Sequence, residues 1–318
     1  MTGQRMVQGL TEQGVRGRQA MKPAAGQKRP TSWWGGVWLR FRRQKVPFAA
    51  AIVLLAVVFS AAFAPLLAPY DPAKQFRREG LSPLGQPLPP NPRFLLGTDA
   101  FGRDLLSRLL YGGRVSLSVG AAASTVAVSL GLLVGGLSGY IGGKVDFAIM
   151  RFVDFMMSVP TFFLMTLLSV ILGRGLTTII FVISAFSWAY PARVFRGEVL
   201  SLKQRDFVEA ARAIGAPGRR IFLRHILPHL LPLTVVYVGL SIPGTIFAEV
   251  GLSFVGLGVP APTPSWGAMI QDGMSYYRAA PWIALYPGAM IVLTTVSLNL
   301  VSNGLREAMD PVRRGRQP

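Results

Sequence analysis

The chain has 318 residues, 51% of them hydrophobic and only 15% charged, with a mean hydropathy of +0.43. A water-soluble globule of that length cannot bury so much apolar surface, so a lipid solvent is required. The net charge of +19 does not indicate nucleic acid, because no segment is long and apolar enough to form a basic soluble module. The absence of cysteine excludes disulfide and thiol chemistry.

Residues 1–32 are basic, polar and Gly-rich without a periodic apolar face, and read as a disordered tail. Trp33, Trp34 and Trp38 then stand beside Arg40, Arg42, Arg43 and Lys45, a mixture that anchors a segment at the level of lipid headgroups. Six long uncharged windows follow, at 46–70, 115–143, 155–173, 175–192, 225–248 and 279–305. Each reaches about the 18–20 residues that a helix needs to cross ~30 Å of hydrocarbon. The expected fold class is therefore an all-α integral membrane protein with about six transmembrane helices. The first window is 25 residues long, beyond the core of a cleavable signal peptide, and reads as a retained helix.

Residues 71–97 are Pro-rich (SPLGQPLPPNP) and read as an irregular external loop. In LGTDAFGRDLLSRLLYGGR, Thr98 or Asp99 can cap a helix with Leu105, Leu106, Leu109 and Leu110 on one face. Arg103, Asp104, Ser107 and Arg108 take the other face, with Asp104 and Arg108 at i,i+4. This pattern predicts an amphipathic helix lying on the outer surface. Arg151 and Asp154 share a face at the inner mouth of the third span, as a structural ion pair or as part of a gate. Pro160 should kink that span.

The polar stretch 193–228 carries a short ordered element. Asp206 with Glu209 has capping-box spacing, and Gly215 followed by Pro217 closes a helix of about eight residues, Phe207 to Ile214. So short a helix is marginal alone in water. Ala210 and Ala211 allow close approach of another backbone, with Phe207 and Ile214 at i and i+7, so the element reads either as a docking face or as a solvated connector. Glu249 follows the fifth window and either lines a path or is a hydrogen-bonded acid at the interface. Residues 250–271 are uncharged but broken by glycines and prolines, and read as a loop. The chain thus divides into a basic tail with its Trp/Arg segment (1–45), a first helix with external loop and surface helix (46–114), a five-helix core with the loop at about 193–228 (115–305), and a C-terminal tail (306–318). With the amino terminus inside, 24 of the 33 Lys and Arg fall on inner segments, as the positive-inside rule expects.

No Gly-x-x-x-x-Gly-Lys-Ser/Thr occurs, and GGKVD at 142–146 is too short for a phosphate loop, so ATP hydrolysis is not expected of this chain. His225 and His229 have helical metal-ligand spacing, but Pro228 interrupts it and no third ligand lies nearby, so no metal is expected. No nucleophile and base arrangement suggests an enzyme.

EAARAIGAPGRRIFLRHILP resembles the signature loop of ABC-importer permeases, in which Glu-Ala-Ala, a Gly four residues on and a later Leu-Pro mark the helix that couples to an ATPase. The pattern is carried by Glu209, Ala210, Ala211, Gly215, Leu227 and Pro228. APLLAPYDP, LGTDAFGRDLLSRLLYGGRVSLSVG, AEVGLSFVGLGVPAPTPSWGAMIQDG and LNLVSNGLREAMDP are similar to the C-type permease of dipeptide, oligopeptide and nickel importers, over most of residues 33–311. The resemblance implies a type I importer permease fold in the cytoplasmic (inner) membrane, with both termini cytoplasmic. It also implies a homologous second permease, two cytoplasmic ATPases that bind ATP and Mg, and an extracytoplasmic solute-binding protein. Peptide is the implied solute, with nickel chelates and glutathione-like compounds as alternatives. A free-standing secondary transporter or channel would instead show inverted repeats and ionisable pairs deep in several helices.

Overall fold

The computed structural model describes residues 33–309; the expected disordered tail at 1–32 and most of the 306–318 tail lie outside the described residues. In chain order the helices are α1 (Trp33–Arg43), α2 (Lys45–Ala62), α3 (Ala64–Leu67), α4 (Leu105–Ile141), α5 (Gly143–Ser158), α6 (Thr161–Leu172), α7 (Leu176–Ser187), α8 (Ala189–Leu202) and α9 (Asp206–Ala213). A short α10 (Gly218–Ile221) runs through a π-helical segment (Phe222–Ile226) into α11 (Leu227–Phe254), followed by α12 (Trp266–Met274) and α13 (Trp282–Met309). Among the described residues the only extended pairing is two isolated bridges, Leu81 with Pro87 and Thr98 with Asp104.

Four rods are long and apolar enough to cross a membrane: α2, α4, the continuous 218–254 rod, and α13. Two bent pairs bring the number to six if each is one span: α5 with α6 at 86°, and α7 with α8 at 45°. The sharp bend lies at Pro160, where the backbone is extended. The expected kink is thus a near right-angle turn, because proline both lacks its amide hydrogen and drives the preceding residue, Val159, out of the helical region. The gentler bend lies before Pro191, the third residue of α8, whose missing N–H interrupts the ladder back to α7.

Pro228 does not interrupt the 218–254 rod. Upstream of it the chain widens into the π segment, where Leu227 N–H donates to Phe222 O five residues back, and Pro228 then sits in the first turn of α11, where a missing donor costs little. Leu227 and Pro228 consequently lie inside the rod rather than at the end of a loop. The stretch 250–271 is also more regular than expected: α11 continues to Phe254, and α12 opens at Ser265, whose hydroxyl accepts from Ala268 N–H at 3.1 Å.

The bundle is organised around α4, whose small residues let neighbours approach to backbone contact. Gly131, Gly135 and Gly139 recur every fourth residue and face α8, a spacing that permits close helix crossing in lipid. A Cβ on Gly135 would overlap the Ala192 carbonyl, and one on Gly139 would lie 2.9 Å from the Arg196 carbonyl oxygen. On the other side of α4, Gly120 receives Ile242 and Ile246 of α11. Gly135→Ala should therefore cost about 1–3 kcal/mol through overpacking and lower the thermal midpoint of the purified protein. Gly197→Ala on α8, where nothing lies within 4 Å, should not lower that midpoint, since alanine is the better helix former.

Candidate functional site

Two polar clusters stand at opposite ends of α4. At its N-terminus, Asp104 caps the helix, its Oδ2 accepting from Ser107 N–H at 2.8 Å and Ser107 Oγ at 2.6 Å. Asp99 turns the preceding loop by accepting from Phe101 and Arg103 N–H, both at 2.9 Å. Its other oxygen takes Arg103 Nε at 2.5 Å and Arg108 Nε at 3.1 Å. Both guanidinium groups then reach Asp272 of α12, at 3.4 and 3.8 Å. Arg103, Arg108 and Asp272 face a cavity of about 450 Å³ that Arg174, Gln271 and residues 258–263 also line.

The expected surface helix is therefore absent. Asp99, Arg103, Asp104 and Arg108 are all buried, and the helix from Leu105 is the first turn of the 37-residue α4, so no boundary falls at 114. The anticipated Asp104 to Arg108 pair gives way to Asp99 and Arg108, because Asp104 is committed to capping. Alternating apolar and charged faces look alike whether the charges meet water or one another, and the partner Asp272 lies 164 residues beyond Arg108 in the sequence.

Deeper along the same helix, Glu249 of α11 is fully enclosed. Its carboxylate accepts from Ser253 Oγ and Ser265 Oγ, both at 2.8 Å, and from Ser116 Oγ at 3.2 Å. Ser116 in turn accepts from Trp266 N–H at 3.1 Å, while the Trp266 indole donates to Leu109 O at 3.0 Å. Glu249 thus joins α4, α11 and the start of α12, and in this conformation it faces serines rather than an open path.

At the other end of α4, Asp146 of α5 accepts both Arg196 nitrogens of α8, at 2.6 and 2.5 Å, together with Ser138 Oγ at 2.6 Å. Lys203 Nζ donates to the last carbonyls of α4, Tyr140 O at 2.8 Å and Gly139 O at 3.2 Å, satisfying groups a helix end leaves open. Tyr140 Oη donates to Gly218 O at 2.7 Å. This clamp was not visible as a motif, since its members are spread from Ser138 to Gly218.

Seated on the clamp is α9. Val208 and Ala211 are buried among Phe195, Val199, Ile221, Phe222 and Ile226. Phe207, Glu209 and Ala210 are exposed, and Ile214 is 85% exposed. Ala211 is therefore part of the fold's own core and does not belong with Ala210 on a free face. The expected capping box is also absent: Arg205 is the N-cap and no side chain caps the helix. The other end closes as expected, with Gly215 at φ +76°. Gly215 N–H donates to Arg212 O at 2.9 Å and Ala216 N–H to Ala211 O at 3.1 Å, the paired bonds of a Schellman motif. The Phe207 ring stacks on His229 at 4.9 Å, and a His229 ring nitrogen lies 2.7 Å from His225 O, so this histidine is occupied in holding α9 to α11.

Comparison with known proteins agrees with this architecture. Residues 128–315 match the family of binding-protein-dependent transport system inner membrane components, and residues 32–90 match the N-terminal TM domain of oligopeptide transport permease C. The chain belongs to the binding-protein-dependent transport permeases. It is 38% identical to the oligopeptide transport system permease protein OppC of Haemophilus influenzae over 89% of this chain and 90% of that one. It is 35% identical to the dipeptide transport system permease protein DppC of Bacillus subtilis, covering 94% and 92%. With the glutathione transport system permease protein GsiD of Escherichia coli the identity is 38%, covering 89% and 91%.

Elsewhere in the permease, Arg151 lies 3.6 Å from Asp154, and Arg193 of α8 also pairs with Asp154. All three side chains are substantially exposed, so these pairs contribute little to stability. The buried cluster at the N-terminus of α4 is different. Burial pushes the Asp272 carboxyl above the ordinary carboxylate range while Arg108 and Arg103 pull it down. A carboxyl whose folded pKa is raised binds more protons folded than unfolded, so its contribution to stability falls as pH rises through the carboxylate window. Asp99→Asn should cost about 3–5 kcal/mol, because it strips two buried guanidinium groups of their shared partner. Asp272→Asn should cost less, and its deficit relative to wild type should shrink as pH rises through that window. Denaturation midpoints of the purified variants across pH check both outcomes.

Proposed function

We propose that the permease and a homologous second permease subunit form the translocation pathway for peptides, worked by alternating access and driven by two cytoplasmic ABC ATPases. The observation that carries this reading is the division of labour on α9. Its inner face is committed to the chain's own core through Val208 and Ala211. Its outer face offers Phe207, Ala210 and Ile214 to a partner. A short helix clamped from below and apolar above suits a groove on a separate motor, and it transmits displacement because it cannot slide on its base.

The ATPases hold ATP and Mg, for which this chain has no phosphate loop. An extracytoplasmic solute-binding protein docks on loops within 71–112 and 259–278. The excess of Lys and Arg on the α9 side supports cytoplasmic termini. Peptide as solute is supported by relatives named for oligopeptide, dipeptide and glutathione transport; nickel chelates and glutathione-like compounds are the alternatives. Residues 1–45 serve as tail and membrane anchor, and 193–228 as the coupling region. Arg151 and Asp154 with the turn at Pro160 form an inner gate element, supported by the 86° corner, which gives α6 a joint with α5. Glu249 acts on the path as a latch: opening between α11 and the start of α12 must break its bond to Ser265.

The test is ATP-dependent uptake of a labelled dipeptide into proteoliposomes holding the two permeases, their ATPases and the binding protein. Gly215→Val forces a β-branched residue into a left-handed conformation. Uptake should fall about five- to thirtyfold, since ~1–2 kcal/mol of local strain falls on the helix that transmits the stroke. The amount of permease in the membrane should be unchanged. Normal uptake by the variant would overturn the coupling role, and a wild-type complex that takes up no peptide would overturn the choice of solute.

A further inference from the structure

The corner between α1 and α2 has a built geometry that the transport reading does not use. Val37 and Phe41 of α1 are buried against Ala308, with Leu305 and Met309 of α13 packed beside them. Arg40 Nε donates to Ala308 O at 2.7 Å, satisfying a carbonyl at the end of α13. These contacts fix which way α1 faces. The side turned away from the protein carries Trp38, 57% exposed, and Leu39, 50% exposed. It also carries Arg42 and Arg43, with Lys45 one residue past the break at Gln44, all three exposed. None of these three cations makes an ion pair within the described residues, and no Asp or Glu occurs from residue 33 to residue 70. Glu307, the acid at the end of α13, already has a partner.

Depth is set by chain continuity. Lys45 opens α2, a membrane-crossing helix, and only Gln44 separates it from α1. The corner is therefore held at the boundary between hydrocarbon and water. An indole and a leucine at that level seek acyl chain, while three unpaired cations within four residues seek phosphate.

We propose that the α1–α2 corner is a binding site for an anionic phospholipid, with Arg42, Arg43 and Lys45 on the headgroup and Trp38 and Leu39 against its acyl chains. A free phosphate would satisfy the cations and leave the apolar pair in water, so the lipid is the occupant that fits both halves. The bound lipid braces α1 against the end of α13, where among the described residues an apolar patch and the Arg40 to Ala308 hydrogen bond hold it.

The test uses the full-length chain in phosphatidylcholine nanodiscs doped with photoactivatable phosphatidylglycerol or photoactivatable phosphatidylcholine, with labelled residues read by mass spectrometry. The glycerol lipid should label residues 38–46 about tenfold more than the choline lipid. Each cation near a membrane surface is worth roughly a fivefold factor, so a triple variant, Arg42→Gln with Arg43→Gln and Lys45→Gln, should erase that preference while labelling of the rest of α2 persists. A charge-keeping variant, Arg42→Lys with Arg43→Lys, should retain it. Equal labelling by both lipids in the wild type, a preference that survives the triple variant, no lipid label at the corner, or its removal by millimolar inorganic phosphate would each overturn the proposal.

Discussion

The carbonyl of Ala192 occupies the space where a side chain at residue 135 would be, and the rest of the permease is arranged around that contact. Helices in lipid gain nothing from expelling water between them, so they associate through packing and polar contacts that need close approach. The glycines at 131, 135 and 139 grant that approach to α8 along one edge of α4, and Gly120 grants it to α11 along another. The cost is a helix with little side-chain surface of its own. Its position is held by what lies at its two ends.

Those ends are fixed by different chemistry. At the N-terminus a four-membered charge network and the serine-ringed Glu249 join α4 to α11 and α12. At the C-terminus the Asp146 and Arg196 pair, backed by Ser138 and Lys203, joins α4 to α5 and α8. A buried charge is tolerable only when paired and hydrogen-bonded, so each cluster holds its helices in one arrangement and resists small displacements. Between them, the turns at Pro160 and before Pro191 divide two spans into segments, which is where movement can be absorbed. Under the coupling proposed for α9, a rigid rod clamped at both ends and flanked by jointed spans would pass a push on it to the far side of the membrane.

The apolar windows were legible because lipid imposes a length on every span, and all six fall on the four rods and two bent pairs. The eight-residue helix in the polar stretch was equally legible, because Gly215 and Pro217 mark its end by backbone chemistry alone. What failed were inferences that needed a partner distant in sequence. Arg103 and Arg108 read as water-facing because their pairing with a neighbouring acid is equally at home on a surface helix, and Asp272, the distant member that joins the network to α12, reaches them only through the fold. Ala211 next to Ala210 read as one face, although 100° of helical rotation separates them. Pro228 read as a break, since a compensating π turn leaves no compositional mark. The Gly131, Gly135 and Gly139 repeat was present in the sequence and would have pointed to α4 as the hub.

The central claim is that the outer face of α9 is held by an ATPase on the cytoplasmic side. It is tested most directly by placing a photocrosslinking amino acid at Ile214, the most exposed apolar residue of this element, in cells that make the whole transporter. The account predicts a crosslinked product containing the permease and its ATPase, formed at Ile214 but not at the inward-facing Val208. Labelling of position 214 by a membrane-impermeant reagent added from outside, with no ATPase adduct, would contradict it.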